Sequence, residues 1–295
     1  MKLLRTAFLL LYISCVTMLH AQEERSSSLS FGISGGLSSY QGDLQPNSFS
    51  FQQSDGYAGA WVRYPLLSRF SVKAGFVSGT VHAADANNRD YLKVRNLSFY
   101  TRINEVNLLL DYELFDLERK RFTPFGYGGL AYFHFNPYTF DRSGQKIFLQ
   151  PLGTEGQGLS RYPDRKEYKL SQFALAFGGG LRFLLSDAVM VSLEVGERKT
   201  FTDYLDDVSK SYADADALQA GRGAKAVELA FRGDELSSGA LYPKEGEQRG
   251  TPTEMDWYYF AGVSLEIRLK ALASVLSGNG LPSRNDHHMR CPKVN

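Results

Sequence analysis

Apolar and polar residues alternate with a period of two along most of this chain. In the segment Asp256 to Leu269, one set is Trp257, Tyr259, Ala261, Val263, Leu265, Ile267 and Leu269. The other set is Asp256, Tyr258, Phe260, Gly262, Ser264, Glu266 and Arg268. A helix would scatter these sets around its circumference, whereas a strand puts them on opposite faces. The same alternation marks Phe173 to Phe183, Val189 to Val195, Val106 to Leu114, Phe70 to Phe76 and Leu29 to Leu37. Two further segments, about Tyr57 to Tyr64 and Phe122 to Phe135, alternate less cleanly. The pattern therefore predicts eight strands.

The connections fall into two classes. Short turns follow the second, fourth and sixth strands at 65–69, 116–121 and 185–188. Long polar loops follow the odd strands at about 43–56, 80–101, 136–167 and 200–255. A soluble sandwich has no reason to gather its long loops at one end. An all-β, eight-stranded antiparallel up-and-down transmembrane barrel does, with short periplasmic turns and long extracellular loops. The two longest loops have room for strands or a short helix of their own, for instance at 213–220 or 224–231.

The two faces fit that reading. One is aliphatic and aromatic, with Trp257, Tyr259 and Tyr112 near strand ends where interfacial girdles form, and outer-membrane lipids are its expected surroundings. The other carries Gly, Ser and balanced charges: Arg63, Lys73, Arg182, Arg198 and Arg268 against Glu105, Asp111, Glu113, Glu194 and Glu266. Those ten residues either line a pore or form an ionic network that plugs the interior. Eight strands enclose only enough width for side chains, which favours the plug, and charges buried there must be paired.

Composition narrows the class. The 295 residues contain 33 Lys+Arg and 32 Asp+Glu, a net charge of +1, which argues against a nucleic-acid partner. A 43% hydrophobic content with 13% aromatics excludes a disordered chain. Mean hydropathy of -0.28 and no long apolar run beyond the N-terminus exclude a helical membrane protein. The N-terminus itself reads as an export signal over 1–21: basic Lys2 and Arg5, apolar Ala7 to Leu19, then Leu19-His20-Ala21 before Gln22. Cys15 does not fit a lipoprotein site, because Tyr12 stands where a small aliphatic residue is needed. The expected layout is signal peptide 1–21, outer-membrane barrel 22–270 and polar periplasmic tail 271–295.

Chemistry was sought with less return. After export the histidines are His82, His134, His287 and His288, and only His134 lies on a strand, near the external rim, with no particular serine assigned to it. No catalytic residue, metal or cofactor is expected. Two histidines and a thiol near the C-terminus, His287, His288 and Cys291, make a weak metal pattern. Asp203, Asp206, Asp207, Asp214 and Asp216 match no EF-hand spacing and read as a solvated acidic loop. Neither Gly178-Gly179-Gly180 nor the glycines of Phe125 to Gly129 open a helix, so they mark bends or close packing rather than phosphate loops. Arg232-Gly233-Asp234 is too short to be specific. Cys291 is the one thiol of the processed chain, which leaves an idle or buried thiol or a bond to another chain.

Several motifs resemble the PorG-type family of outer-membrane β-barrels, which includes a component of the type IX secretion system and related barrels without an assigned role. They are Tyr40-Gln41-Gly42-Asp43-Leu44, Asn136-Pro137-Tyr138, the segments 149–158 and 198–208, Trp257-Tyr258-Tyr259-Phe260, and Arg290-Cys291-Pro292-Lys293. The resemblance implies a small barrel that anchors a periplasmic ring containing a lipoprotein, with no catalytic residue. It also implies a periplasmic thiol at Cys291, on the side where an eight-stranded barrel has both termini, and hence a disulfide to that lipoprotein. Two other classes compete: a lipid-modifying barrel enzyme, which needs a Ser/His pair on the rim, and a structural or adhesive barrel that binds through its external loops.

Overall fold

A computed structural model describes residues 29–269 apart from 48, 49, 118 and 238. The expected signal peptide, the tail and Cys291 lie outside the described residues. The strands are β1 (Ser30–Gln41), β2 (Ser54–Pro65), β3 (Phe70–Ala84), β4 (Ser98–Glu113), β5 (Phe122–His134), β6 (Tyr138–Phe140), β7 (Lys146–Phe148), β8 (Ser171–Leu184), β9 (Val189–Thr200) and β10 (Trp257–Arg268). Eight of them pair antiparallel in the order β3-β2-β1-β10-β9-β8-β5-β4, and β3 closes on β4. β1 runs in register with β10 from Ser30↔Arg268 to Gln41↔Trp257, so first and last strands seal the seam. β6 and β7 form a small hairpin that touches β4 at Tyr100↔Tyr138.

The alternation has the predicted consequence on the outside. Ile33, Leu108, Leu193 and Val263 are each exposed by half or more (51%, 59%, 51% and 50%) in a belt around the end that carries the short turns. Water would not tolerate so continuous an apolar surface on a folded monomer, but hydrocarbon requires it. Unpaired sheet edges, which lipid cannot satisfy, are removed by closure.

The sequence reading needs correction higher up the barrel. The stretch 80–101 was expected to be a polar loop, yet β3 continues to Ala84 and β4 begins at Ser98, in register down to Ala84↔Ser98. The period of two persists there with its faces exchanged. Val81, Ala83, Phe99 and Ile103 point inward and are buried, whereas His82, Tyr100 and Arg102 point outward. Phe133, Tyr258 and Phe260 join the same internal core. The barrel is thus apolar outside and ionic inside at its short-turn end, and apolar inside and polar outside at its long-loop end.

The segments 135–170 and 201–256 fold over that end as a cap. They include two helices, α1 (Ala215–Arg222) and α2 (Ala224–Ala230). Asp214 caps α1, its carboxylate accepting from the Ala217 N–H at 2.9 Å. Leu218, Ala226 and Ala230 pack with Tyr162 and Ala213 into a small core within the cap.

Candidate functional site

The interior is built upward from the short-turn end. Arg63 on β2 donates from Nε to Glu266 at 2.8 Å and from Nη1 to Glu113 at 2.8 Å. Arg182 on β8 shares Glu113 and reaches Asp111 at 3.2 Å. Lys73 lies 3.8 Å from Glu194 and 4.6 Å from the Tyr127 ring centroid. That ring fits because Gly178 and Gly196 face it, where a Cβ would strike its Cζ or hydroxyl. Nearest the apolar core, Arg198 holds Glu105 with bonds of 3.0 to 3.2 Å, and Glu105 also accepts from Asn107 (2.7 Å) and Tyr258 (2.8 Å). Nine of the ten charged residues picked out by the alternation therefore meet inside. The tenth, Arg268, sits half-buried at the last position of β10, on the rim. A void of about 30 Å³ beside Tyr57, Trp61 and Lys73 has room for a water or two, far short of a passage.

Above the apolar core, the cap is locked to the barrel by side chains from the motifs 40–44, 149–158 and 198–208. The Tyr40 hydroxyl lies 2.6 Å from Asp206 and 3.0 Å from Asp256. Asp256 accepts the Leu205 N–H at 2.8 Å, and Asp206 accepts the Val208 N–H at 2.9 Å. Gly42 passes so close that a Cβ there would overlap Tyr40 and Asp256. Glu155 accepts the Ser209 N–H at 2.9 Å and Arg249 at 3.0 Å. Arg95, from the β3–β4 connection, binds Asp85 at 2.6 Å and 3.0 Å.

These aspartates are not the solvated loop that their spacing suggested. Asp203, Asp206, Asp207 and Asp256 are all buried, while Asp214 and Asp216 stay near solvent on α1. Burial is the main cause of their raised proton affinity, and neighbouring carboxylates add to it. Asp203 is pushed up to about 9, with Asp206, Asp43 and Glu155 nearby. Burial also lifts Asp206 and Asp256 well above the usual carboxylate range. Burial raises Asp207 only to about 6, because Arg249 opposes it. Geometry carries the same message at Tyr40: a single hydroxyl proton cannot serve two ionised carboxylates, so the second close contact needs a carboxyl proton.

The histidines divide differently from expectation. His82 pairs with Asp55 at 2.6 Å on the barrel exterior. His134 does meet a serine: its Nδ1 lies 3.0 Å from the Ser171 hydroxyl, exposed on the outer wall. Among the described residues no carboxylate hydrogen-bonds to either member of that pair. Arg232 is held by Glu235 at 2.9 Å and Asp234 pairs with Arg142, so the Arg-Gly-Asp triplet is tied into the cap. Among the described residues no group of three His, Cys, Asp or Glu side chains is arranged to hold a metal ion.

A cleft of about 700 Å³ opens on the external side, between the β3–β4 connection and segment 247–257 of the cap. Tyr91 and Trp257 both line it, together with Asp43 and Gly250. Sequence reasoning missed it, because its walls come from three loops far apart in the chain.

The family described as "Domain of unknown function (DUF6089)" matches residues 6–147, just under half of the chain. No curated protein matches. Among solved structures, Neisserial surface protein A is similar at 6% identity and a TM-score of 0.42, covering 81% of this chain and 96% of that one. The attachment invasion locus protein Ail of Yersinia pestis is similar at 10% identity and a TM-score of 0.36, covering 82% and 99%. The outer membrane protein OprG from Pseudomonas aeruginosa is similar at 13% identity and a TM-score of 0.37, covering 82% and 97%.

Proposed function

We propose that this chain is an outer-membrane barrel that anchors and docks partners and does not conduct solutes. The observation that carries this reading is the filled interior: paired ions below, an aromatic core above, and a cap over both. The apolar belt supports the placement in lipid, and the short-turn end, where β1 begins and β10 ends, faces the periplasm. Purified protein in a planar bilayer should give no steps of conductance. Stable channels would overturn the reading.

The finer assignment follows the motif resemblance. The barrel serves type IX protein secretion, its periplasmic end docking a lipoprotein of the secretion ring through a disulfide at Cys291. Crosslinking and co-purification from outer membranes should recover that lipoprotein, and a non-reducing gel should show a larger species that Cys291→Ser abolishes. Identical monomer bands would reject the disulfide. A second reading, binding through the external loops, is favoured by the ordered cap and its cleft.

A further inference from the structure

The external cleft has a chemistry of its own. Its two exposed cations, Arg89 and Lys199, share the lining with two exposed carboxylates, Glu247 and Glu254, while the half-buried Asp43 already accepts the Thr251 N–H, so neither sign is in excess. The other two guanidinium groups on the lining, Arg95 and Arg249, are already committed to Asp85 and Glu155. A phosphorylated or sulfated ligand would meet as many exposed carboxylates as cations, with no net positive charge to hold it. A wholly apolar ligand would strip water from carboxylates and give nothing back. What remains is a neutral ligand with apolar C–H faces and many hydroxyls. Tyr91, exposed by 67%, supplies the open aromatic surface and the half-buried Trp257, with Lys199 5.5 Å from its ring centroid, a second and partial one, while Glu254 and the Gln248 carbonyl oxygen supply hydrogen-bonding groups. The volume lies in the range of sites that enclose a small ligand.

We propose that this cleft is a binding site for neutral saccharides. The inference deepens the loop-binding reading and rests on it; it does not depend on the periplasmic anchor. The sugar reaches the site either free or as the glycan of a surface lipid, since both present the same chemistry at the external rim.

The test uses the intrinsic reporter. The chain has two tryptophans, Trp61 inside the barrel and Trp257 on the cleft. The full-length protein in detergent micelles, with Trp61→Phe, is titrated with cello-, malto-, manno-, xylo-, galacto- and chito-hexaose. Vesicles with and without smooth lipopolysaccharide form the second arm. Saturation-transfer NMR on the sugar protons repeats the measurement with unaltered protein, in case Trp61→Phe folds poorly. At least one probe should bind, with affinity falling about tenfold in Tyr91→Ala, the scale of one lost stacking contact. Binding by hexaose identifies a free glycan, and binding only by lipopolysaccharide vesicles identifies a lipid-borne one. No binding by any probe, or equal binding by Tyr91→Ala, would overturn the site. Bilayer conductance and the Cys291 gel read the anchoring function separately.

Discussion

Removing Glu105 and Arg198 together should destabilise the barrel far less than the sum of removing each alone. Both side chains are buried, and the carboxylate takes bonds from Arg198, Asn107 and Tyr258. Glu105→Gln keeps the volume but leaves the guanidinium without its counter-charge, a defect that typically costs about 3–5 kcal/mol. Arg198→Met strands the carboxylate instead, at a similar cost of about 3–5 kcal/mol, moderated by its two remaining donors. The double variant has no buried lone ion. Its remaining cost is imperfect pairing of Asn107 and Tyr258, about 1–3 kcal/mol per unsatisfied group at most. The sum of the two single effects should therefore exceed the double by about 4 kcal/mol, well beyond the roughly 0.5 kcal/mol seen between independent sites. Reversible urea unfolding in lipid vesicles, followed by tryptophan fluorescence and by the mobility of the folded barrel on gels, gives all four stabilities. Additive effects would mean that the ions are hydrated and that the interior is not a closed plug.

Three other outcomes follow. Because Asp203, Asp206 and Asp256 hold protons more tightly when folded, the stability they contribute to the cap is fullest in acid and is lost as pH rises, the share of Asp203 as pH climbs through about 9. Proteolysis of segment 201–256 should therefore accelerate between pH 7 and 10 in the native protein and less so in Asp206→Asn, which mimics the protonated acid; equal acceleration refutes the proton-held contact. Leu108→Arg, in the middle of the apolar belt, should cost about 2–4 kcal/mol in vesicle unfolding, whereas Arg102→Leu on the same face above the belt should cost little. We propose that Ser171 is not a nucleophile, since among the described residues no carboxylate orients His134; a fluorophosphonate probe should leave Ser171 unmodified, and labelling abolished by His134→Ala would reinstate the lipid-enzyme class.

Much of the barrel was legible because period-two alternation is a local signal. Most strands of the barrel wall show two unlike faces without reference to their neighbours. The ionic residues were legible for the same reason, since a charge at an inward position, such as Arg63 or Glu266, must be compensated by another inward ion. The extensions of β3 and β4 were obscured because Val81, Ala83, Phe99 and Ile103 change the meaning of the inward face. Alternation alone does not say which side is wet. The short helices of the cap were legible near 213–220 and 224–231, but its packing was not, because its contacts are long-range: Tyr40 to Asp206, Glu155 to Arg249, Asp43 to the Thr251 N–H. Its aspartates read as solvated on spacing, yet their tertiary partners bury them.

The exchange of faces along the barrel axis also explains why the cap is ordered. A barrel that ended at the lipid boundary would open its ionic interior to water, and its pairs would compete with solvent. Extending the wall by several residues beyond the belt creates an apolar interior around Phe99, Ile103, Phe133 and Tyr258, which must itself be covered. The long loops supply the cover with Leu44, Leu149, Tyr168 and Leu205. Once those side chains are committed inward, the loop backbones are fixed, and the surface they present outward is fixed with them. The cleft between Tyr91 and Trp257 is the product of that constraint: a binding surface shaped by the need to seal a plugged barrel. Shortening the cap within 201–256 should therefore loosen the Glu105–Arg198 layer beneath it as well as abolish the cleft. Hydrogen exchange at the amides of β4 and β9, compared between the native and shortened chains, measures the first effect; unchanged protection of those strands would separate the cap from the plug.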